Sequence, residues 1–168
     1  IMVAVAHEEG LRFEAWINPY RLSLGEETTE SFEHTPFYEK YQSMILEYQG
    51  QNGTCLVLDP QSAEAKQLVV NQVEEILERY PVDGIHFDDY FFVDGMQDTL
   101  SQEEKIQAVN ALVQKVYRTV KQKCPDCEFG ISPAGNPDYA RSQGADIDTW
   151  LSQEGYVDYV MPQIYWTD

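Results

Sequence analysis

Basic residues are scarce in this chain. Its 168 residues include 11 lysines and arginines against 29 aspartates and glutamates, which gives a formal net charge of −18 at pH 7. A protein that binds a phosphate backbone needs a basic surface, so this balance argues against a nucleic-acid partner. Long apolar runs are missing as well. No stretch of about 18 apolar residues occurs, and the sequence predicts no membrane span.

Cysteine is also rare, with three residues in all. Cys124 and Cys127 form the motif CPDC, but a zinc site would need a second pair, which the sequence lacks. The pair is therefore interpreted as loop thiols or as a local disulfide, and the odd count leaves the redox compartment open. No glycine-rich phosphate loop follows any predicted strand, which argues against a nucleotide-binding fold. No cofactor is expected.

The composition that remains is typical of a globular domain, with 43% hydrophobic and 24% charged residues. The chain opens with IMVAVAHEEG, which has neither a starting Met nor a signal-peptide pattern. This beginning predicts an excerpt from a longer protein.

The spacing of apolar residues switches repeatedly between a period of two and a period of 3.6. Period two predicts five strands, at residues 11–18, 54–59, 82–92, 128–133 and 157–166. The longer period predicts helices over residues 1–9, from Thr35-Pro36 to Tyr48, over a stripe from Val69 to Tyr80, from a capping box at Ser101–Glu104 to Val120, and over 148–154.

The alternation of strands and helices indicates parallel α/β architecture. Two strand starts repeat each other, YPVDGI (80–85) and GYVDYV (155–160), which suggests equivalent units around a barrel. We therefore expect an incomplete (β/α)8 barrel with about five of its eight strands, residues 1–168 being the central part of one domain.

Position along a barrel strand separates catalytic from structural carboxylates, because active sites lie at the C-terminal strand ends. Asp83 and Asp158 begin their strands and are predicted to be turn or capping residues. Asp88 lies five residues beyond Asp83, about 17 Å further along at about 3.3 Å per residue. Asp88 is therefore expected at the active edge.

Alternation along VDGIHFDDYFF (82–92) gives the direction of each side chain. With Ile85 and Phe87 toward the helices, His86 and Asp88 point inward. Asp89 then points the other way or starts the loop, so that the two neighbouring acids need not repel face to face.

The same alternation on the other strands predicts a polar and aromatic ring around one opening. Amides, carboxylates and aromatic rings together are typical of sugar sites, although Trp16 could equally be a core residue and His86 a satisfied interior histidine. The residues of this predicted ring and of the loops above it are Glu14, Trp16, Asn18, Tyr20, Arg21, His86, Asp88, Asp89, Tyr90, Ser132, Gln163, Tyr165 and Trp166.

Five motifs in order carry a resemblance to a known family: AWINPYR (15–21), LDP (58–60), VDGIHFDDYFF (82–92), FGISP (129–133) and VDYVMPQIYW (157–166). Together they resemble the bacterial glycosyl-hydrolase-like 10 family. The resemblance implies a (β/α)8 barrel, an extracytoplasmic location and activity on glycans, since one branch of the family cuts peptidoglycan strands. The sequence departs from many relatives at Glu14, where they have histidine.

DGIHFDD (83–89) also resembles the fourth-strand motif of α-amylase-type barrels, which implies a nucleophile at Asp88 and a sugar contact at His86. The expected activity is glycoside hydrolysis on an oligosaccharide substrate, without a metal. Glu14, Asp89 or a residue on an absent strand would be the acid. The alternative is a carbohydrate-binding barrel without catalysis. A third possibility is a fragment whose exposed strand edges promote association.

Overall fold

The structure, a computed structural model, describes residues 1–96 and 100–165. Within these ranges the chain is an α/β domain. Its strands are β1 (Glu14–Ile17), β2 (Ile45–Gly50), β3 (Gly53–Leu58), β4 (Gly84–Asp88), β5 (Glu128–Ser132) and β6 (Tyr159–Val160). Its helices are α1 (Met2–Glu8), α2 (Glu26–Glu33), α3 (Pro36–Tyr41), α4 (Ala63–Arg79), α5 (Gln102–Lys123), α6 (Pro137–Ser142) and α7 (Ile147–Ser152).

Four of the strands form one parallel sheet in the order β1-β4-β5-β6. Each strand pairs in register with the next, for example Trp16 with His86 and Asp88 with Ser132. The prediction of a parallel α/β fold is confirmed. The described residues place four strands in this sheet rather than five.

The fifth expected strand, 54–59, is β3, and it belongs to an antiparallel hairpin with β2. The predicted helix from Thr35 to Tyr48 is wrong beyond Tyr41, because Ile45–Gly50 is extended. The turn between the two strands uses Gly53 at φ 95°, a left-handed conformation that favours glycine. The hairpin is therefore an insertion between β1 and α4.

One face of the sheet is covered by α4 and α5. Val69 and Val73 of α4 and Val113 of α5 are fully buried in the same core as Ile85 and Phe87 of β4. This apolar face fixes the direction of β4, because alternate residues of a strand lie on opposite faces. His86 and Asp88 therefore lie on the opposite face, which carries the polar residues.

The starts of the long helices follow their sequence signals. Ser62 accepts a hydrogen bond from the Ala65 N–H, and the capping box of Ser101 and Glu104 is formed as predicted. Gly10, which follows the C-cap of α1, has a φ of 72°, a left-handed conformation typical of the residue after a helix. Within the described part of the chain, no helix is long and apolar enough to cross a membrane.

The repeated strand starts are equivalent in three dimensions. The Asp83 carboxylate accepts the Phe13 N–H at 2.6 Å, while its own N–H donates to the Phe13 carbonyl at 2.8 Å. Asp158 makes the same pair of contacts with Phe129, at 2.7 and 2.8 Å. Hydrogen bonding from Phe13 holds the pKa of Asp83 below its usual range. Both residues are thus structural, as the sequence predicts.

Asp158→Ala is expected to lower the free energy of unfolding by about 1–3 kcal/mol, because the Phe129 N–H and the Lys121 ammonium, 2.8 Å from Asp158, lose their acceptor. A urea titration measures the change. Asp126→Ala, in the exposed turn of CPDC, is the matched control and should stay within about 0.5 kcal/mol. Equal losses in the two variants would contradict the assignment.

CPDC forms a disulfide between Cys124 and Cys127, directly after α5. Of the two interpretations of this motif, the local disulfide is the one observed. The third cysteine, Cys55, is buried and unpaired.

Candidate functional site

The polar face of the sheet is built in layers, because paired residues of parallel strands point to the same side. The lowest layer contains Glu14, level with Gly84. The middle layer joins Trp16, His86, Gly130 and Tyr159 in register. The upper layer, at the C-terminal edge, contains Asp88.

Asp88 is held by donors from both edges of the sheet. Its carboxylate accepts hydrogen bonds from the Gln163 side chain at 2.8 Å and from the Asn18 side chain at 3.4 Å. The backbone N–H of Asp89 adds a third, at 2.9 Å. Residues that follow β1 and β6 in the chain therefore orient one carboxylate at the end of β4.

Gln163 is itself fixed by two further contacts. Its side-chain N–H donates to the Ser132 carbonyl at 2.8 Å, and its side-chain oxygen accepts from the Tyr165 hydroxyl at 2.5 Å. Tyr165 is 83% exposed, so its ring is open to a ligand. The Ser132 hydroxyl, by contrast, is buried and donates to the Met161 carbonyl at 2.9 Å. Ser132 therefore supports the sheet rather than the opening.

Asp89 contacts Asp88 instead of pointing away from it. Burial, the negative charge of Asp88 and a hydrogen bond to Asp88 raise the pKa of Asp89 to about 6, and the nearby Arg21 opposes this rise. Of the two expected positions, Asp89 therefore starts the loop after β4, and its carboxyl group interacts with Asp88. They form a pair in which Asp89 keeps a proton at mildly acidic pH and donates it toward Asp88.

The rings of Trp16 and His86 meet edge to face in the layer below, with centroids 5.4 Å apart. Trp16 is 66% exposed and is not a core residue, whereas His86 is only 7% exposed. Burial lowers the pKa of His86, against the opposing charges of Glu14 and Asp88. His86 Nδ1 lies 2.8 Å from the Tyr159 hydroxyl.

A cavity of about 350 Å³ opens beside Asp89. Arg21 and Tyr90 form part of its wall, with the guanidinium 4.2 Å from the centre of the Tyr90 ring. Asp94, on the same wall, accepts hydrogen bonds from the Tyr139 hydroxyl and the Gln143 side chain, both at 2.9 Å. Burial, together with the hydrogen bond to Asp94, raises the pKa of Tyr139 to about 12.

Asp94 and Tyr139 are cavity residues that the sequence analysis missed. Both lie in segments that follow the C-terminal ends of strands β4 and β5. In parallel sheets, such segments meet at one edge. The signal that could have found them is therefore their place in the chain.

Besides Ser132, two further predicted site residues are not at the opening. Tyr20 is fully buried, its hydroxyl has no hydrogen-bond partner, and burial raises its pKa, so it is a core residue that cannot contact a substrate. Glu14 starts β1 at the level of Gly84, four residues below Asp88, or about 13 Å at about 3.3 Å per residue. Its carboxylate accepts the Tyr159 hydroxyl proton. Trp166 lies outside the described residues.

A polar sheet edge with a carboxylate pair, on a parallel α/β fold, defines a candidate site of the kind found in α/β enzymes. Sequence comparison gives the family. The chain belongs to the family Glycosyl hydrolase-like 10, whose profile matches residues 1–103 and 93–168. The family resemblance of the five motifs is thereby confirmed.

Characterised relatives are similar over nearly the whole chain. Glycosyl hydrolase DigH of Escherichia coli K12 is 31% identical over 203 residues, covering 98% of this chain and 45% of DigH. Glycosyl hydrolase YngK of Bacillus subtilis is 29% identical over 199 residues, covering 99% of this chain and 38% of YngK. The chain thus spans less than half the length of these relatives.

Solved structures with a similar fold include glycosidases and a glucanotransferase. A Paenibacillus cycloisomaltooligosaccharide glucanotransferase has a TM-score of 0.64 at 15% identity, over 97% of this chain and 23% of that one. The GH36 α-galactosidase AgaA of Geobacillus stearothermophilus has a TM-score of 0.60 at 14% identity, over 96% and 21%. At these identities the similarity shows the fold alone.

Proposed function

We propose that this chain is the central part of a (β/α)8 glycoside hydrolase domain and carries its principal catalytic carboxylate, Asp88. The observation that carries the proposal is the position of Asp88 at the C-terminal sheet edge, where Asn18, Gln163 and the Asp89 N–H orient its carboxyl group. A carboxyl group held in one orientation at this edge is suited to the role of nucleophile or base in glycoside hydrolysis. Family membership and the names of the relatives support it.

In this proposal Asp88 acts as the nucleophile or as the base that activates water. Asn18, Gln163 and the Asp89 N–H hold its oxygens in one orientation. A fixed carboxylate is favoured for attack because orientation is established before the reaction. Below about pH 6 the proton on Asp89 balances part of the negative charge at the pair.

The leaving-group acid of this mechanism lies elsewhere. Carboxyl groups that act from opposite sides of a glycosidic bond are about 5 Å apart in retaining and about 6.5–9.5 Å apart in inverting enzymes. Asp88 and Asp89 are consecutive residues whose carboxyl groups interact directly, so they do not act from opposite sides of one bond. We propose that the acid lies outside the described residues, on a strand of the intact barrel.

The substrate contacts fit a sugar ring. The exposed faces of Trp16 and Tyr165 can stack on the apolar face of a pyranose, and Asn18 and Gln163 can bind hydroxyl groups. We propose a bacterial cell-wall glycan or another polysaccharide as the substrate, and an extracytoplasmic location. The Cys124–Cys127 disulfide supports the location, because disulfides persist in oxidising compartments.

The decisive experiment is a turnover assay of the intact protein with peptide-free peptidoglycan strands and with plant-type oligosaccharides. Release of new reducing ends is the expected result, and the anomeric form of the first product distinguishes retention from inversion. Binding of these glycans without any release would overturn catalysis. It would favour the second candidate, a non-catalytic carbohydrate-binding barrel, for which the exposed rings of Trp16 and Tyr165 are the supporting observation.

Asp89→Asn is expected to raise stability at neutral pH. The folded-state pKa of Asp89, about 6, is above its ordinary value of 3.8. The folded protein therefore binds more protons than the unfolded chain between these values, and this group makes stability decline from about pH 4 to about pH 6. Replacing Asp89 with Asn should raise the free energy of unfolding by about 1–2 kcal/mol at pH 7.5, after allowance for solvent screening.

Urea titrations of the parent and the variant at pH 4 and pH 7.5 measure this difference. Asp126→Asn, a change of the same type in an exposed turn, is the control and should follow the parent at both pH values. A variant whose advantage is the same at both pH values would show that Asp89 titrates normally.

A further inference from the structure

Three side chains cross the polar face of the sheet beneath Asp88 and contact one another in series. The Tyr159 hydroxyl of β6 donates its proton to the Glu14 carboxylate of β1. The same hydroxyl oxygen lies 2.8 Å from Nδ1 of His86, on β4. The rings of His86 and Tyr159 are stacked, with an interplanar angle of 24°. Tyr159 thus connects the edge strands β1 and β6 directly through Glu14, and it contacts β4 through His86.

Counting protons fixes the direction of each hydrogen bond. A tyrosine hydroxyl has one proton, and a carboxylate can only accept. Once the Tyr159 proton is donated to Glu14, the Tyr159 oxygen can only accept from His86. His86 must then carry its proton on Nδ1. Burial, with the Glu14 charge, raises the pKa of Tyr159, so the hydroxyl keeps its proton at neutral pH.

Two glycines provide the room that these side chains occupy. A Cβ on Gly130 would lie 2.0–2.4 Å from ring atoms of Tyr159, and a Cβ on Gly84 would lie 3.2 Å from Cγ of Glu14. Neither glycine has a positive φ. Side-chain space, rather than backbone conformation, therefore explains Gly130, and the sheet is shaped around the Tyr159 ring.

The other ring nitrogen of His86 remains available. Among the described residues Nε2 has no hydrogen-bond partner, and it is not one of the buried, unpaired atoms. Burial lowers the pKa of His86, so the ring is neutral at pH 7 and a neutral ring protonated on Nδ1 has a free lone pair on Nε2.

We infer that Glu14 and Tyr159 are positioning residues that hold His86 as the Nδ1–H tautomer, so that its Nε2 accepts a hydrogen bond from a hydroxyl group of the substrate. The substrate part of this inference rests on the proposed hydrolase function. The tautomer part rests on the contacts of Tyr159 alone. Glu14 acquires a positioning role in this way.

Nitrogen NMR of the intact protein, with ¹⁵N in its histidines, tests the tautomer directly, the His86 signals being assigned by their loss in His86→Gln. The expected spectrum has a protonated Nδ1 and an unprotonated Nε2. In Tyr159→Phe, which removes the accepting oxygen, the proton should move to Nε2 in most molecules, and kcat/KM should fall about ten- to hundredfold.

Tyr156→Phe is the matched control, since Tyr156 is a core tyrosine three residues earlier whose hydroxyl is not part of the series. It should change neither the tautomer nor kcat/KM. Gly130→Ala is a second variant that keeps the hydroxyl but displaces the Tyr159 ring, and it should shift the tautomer as Tyr159→Phe does.

A proton on Nε2 in the parent protein, or an unchanged tautomer in Tyr159→Phe, would overturn the inference. A changed tautomer with unchanged kcat/KM would overturn the positioning role. If the parent hydrolyses no glycan, the proposed function fails. The nitrogen spectra of parent and variant still decide whether Tyr159 holds His86 as the Nδ1–H tautomer.

Discussion

Asp88→Asn is expected to reduce turnover of the glycan substrate by about 10⁴-fold or more while leaving the fold intact. The change removes the negative charge that attacks the sugar or activates water, and losses of this order follow removal of a principal catalytic group. The carboxamide has nearly the same shape, so the sheet has no reason to rearrange. Reducing-end release measures turnover, and circular dichroism with a thermal scan checks the fold.

The same variant has a second expected signature at Asp89. The charge of Asp88 and the hydrogen bond to it both raise the pKa of Asp89, so that pKa should fall below about 6 when Asp88 becomes neutral. A carbon NMR titration of the Asp89 carboxyl measures it. Asp126→Asn is the control and should keep full activity. Full activity in Asp88→Asn would remove Asp88 from the mechanism.

Phe87→Ala is expected to lower the free energy of unfolding by about 3–5 kcal/mol. Phe87 is fully buried, and its ring meets that of Phe129 edge to face with centroids 5.1 Å apart. Removal of the ring leaves a cavity between the sheet and the helices that cover it. The loss has a functional consequence as well, because Phe87 lies between His86 and Asp88 on β4. Urea titration at pH 7 measures the stability.

Phe37→Ala is the matched control for this prediction. Phe37 is the same residue type but is only partly buried, at the edge of the core. Its loss should cost less than half as much, since less apolar surface is exposed to water. Similar losses in the two variants would show that Phe87 does not occupy the centre of the core.

The parallel sheet could be predicted because its signals are local. In β4, apolar residues at alternate positions gave both the strand and the inward direction of His86 and Asp88. The repeat of Asp83 and Asp158 gave two equivalent strand starts, which the structure confirms with the same pair of hydrogen bonds. The long helices α4 and α5 were equally predictable, because each has an apolar stripe along one face and an N-cap serine.

The hairpin was missed because Met44, Ile45 and Tyr48 happen to continue the helical spacing of Phe37 and Tyr41. A better signal was present in the turn. Asn52-Gly53 between two extended runs is a strong sequence signal for a hairpin. In the structure the loop residues are Gln51 and Asn52, and Gly53, the first residue of β3, has the positive φ. The helix α2 was missed for a different reason, because its residues are mostly polar and show little apolar periodicity.

The errors at the site concern strand register and the burial of side chains, which a single sequence does not specify. Glu14 faces the correct side of β1, but only the pairing of Glu14 with Gly84 shows that it lies far below Asp88. Tyr20 lies in the loop after β1, as predicted, but its side chain is buried in the core. The contact of Asp89 with Asp88 depends on the backbone after β4, where alternation no longer holds.

The two side chains that donate hydrogen bonds to Asp88 are distant from it in the chain, since Asn18 precedes it by 70 residues and Gln163 follows it by 75. The strand before Gln163, β6, has only two residues. Local opening of either border of the sheet would therefore release the carboxylate while the central hydrophobic contacts persist. Under the proposed function, activity is therefore expected to be lost before the core unfolds, which would make it a more sensitive reporter of structural integrity than spectroscopic measures of the core.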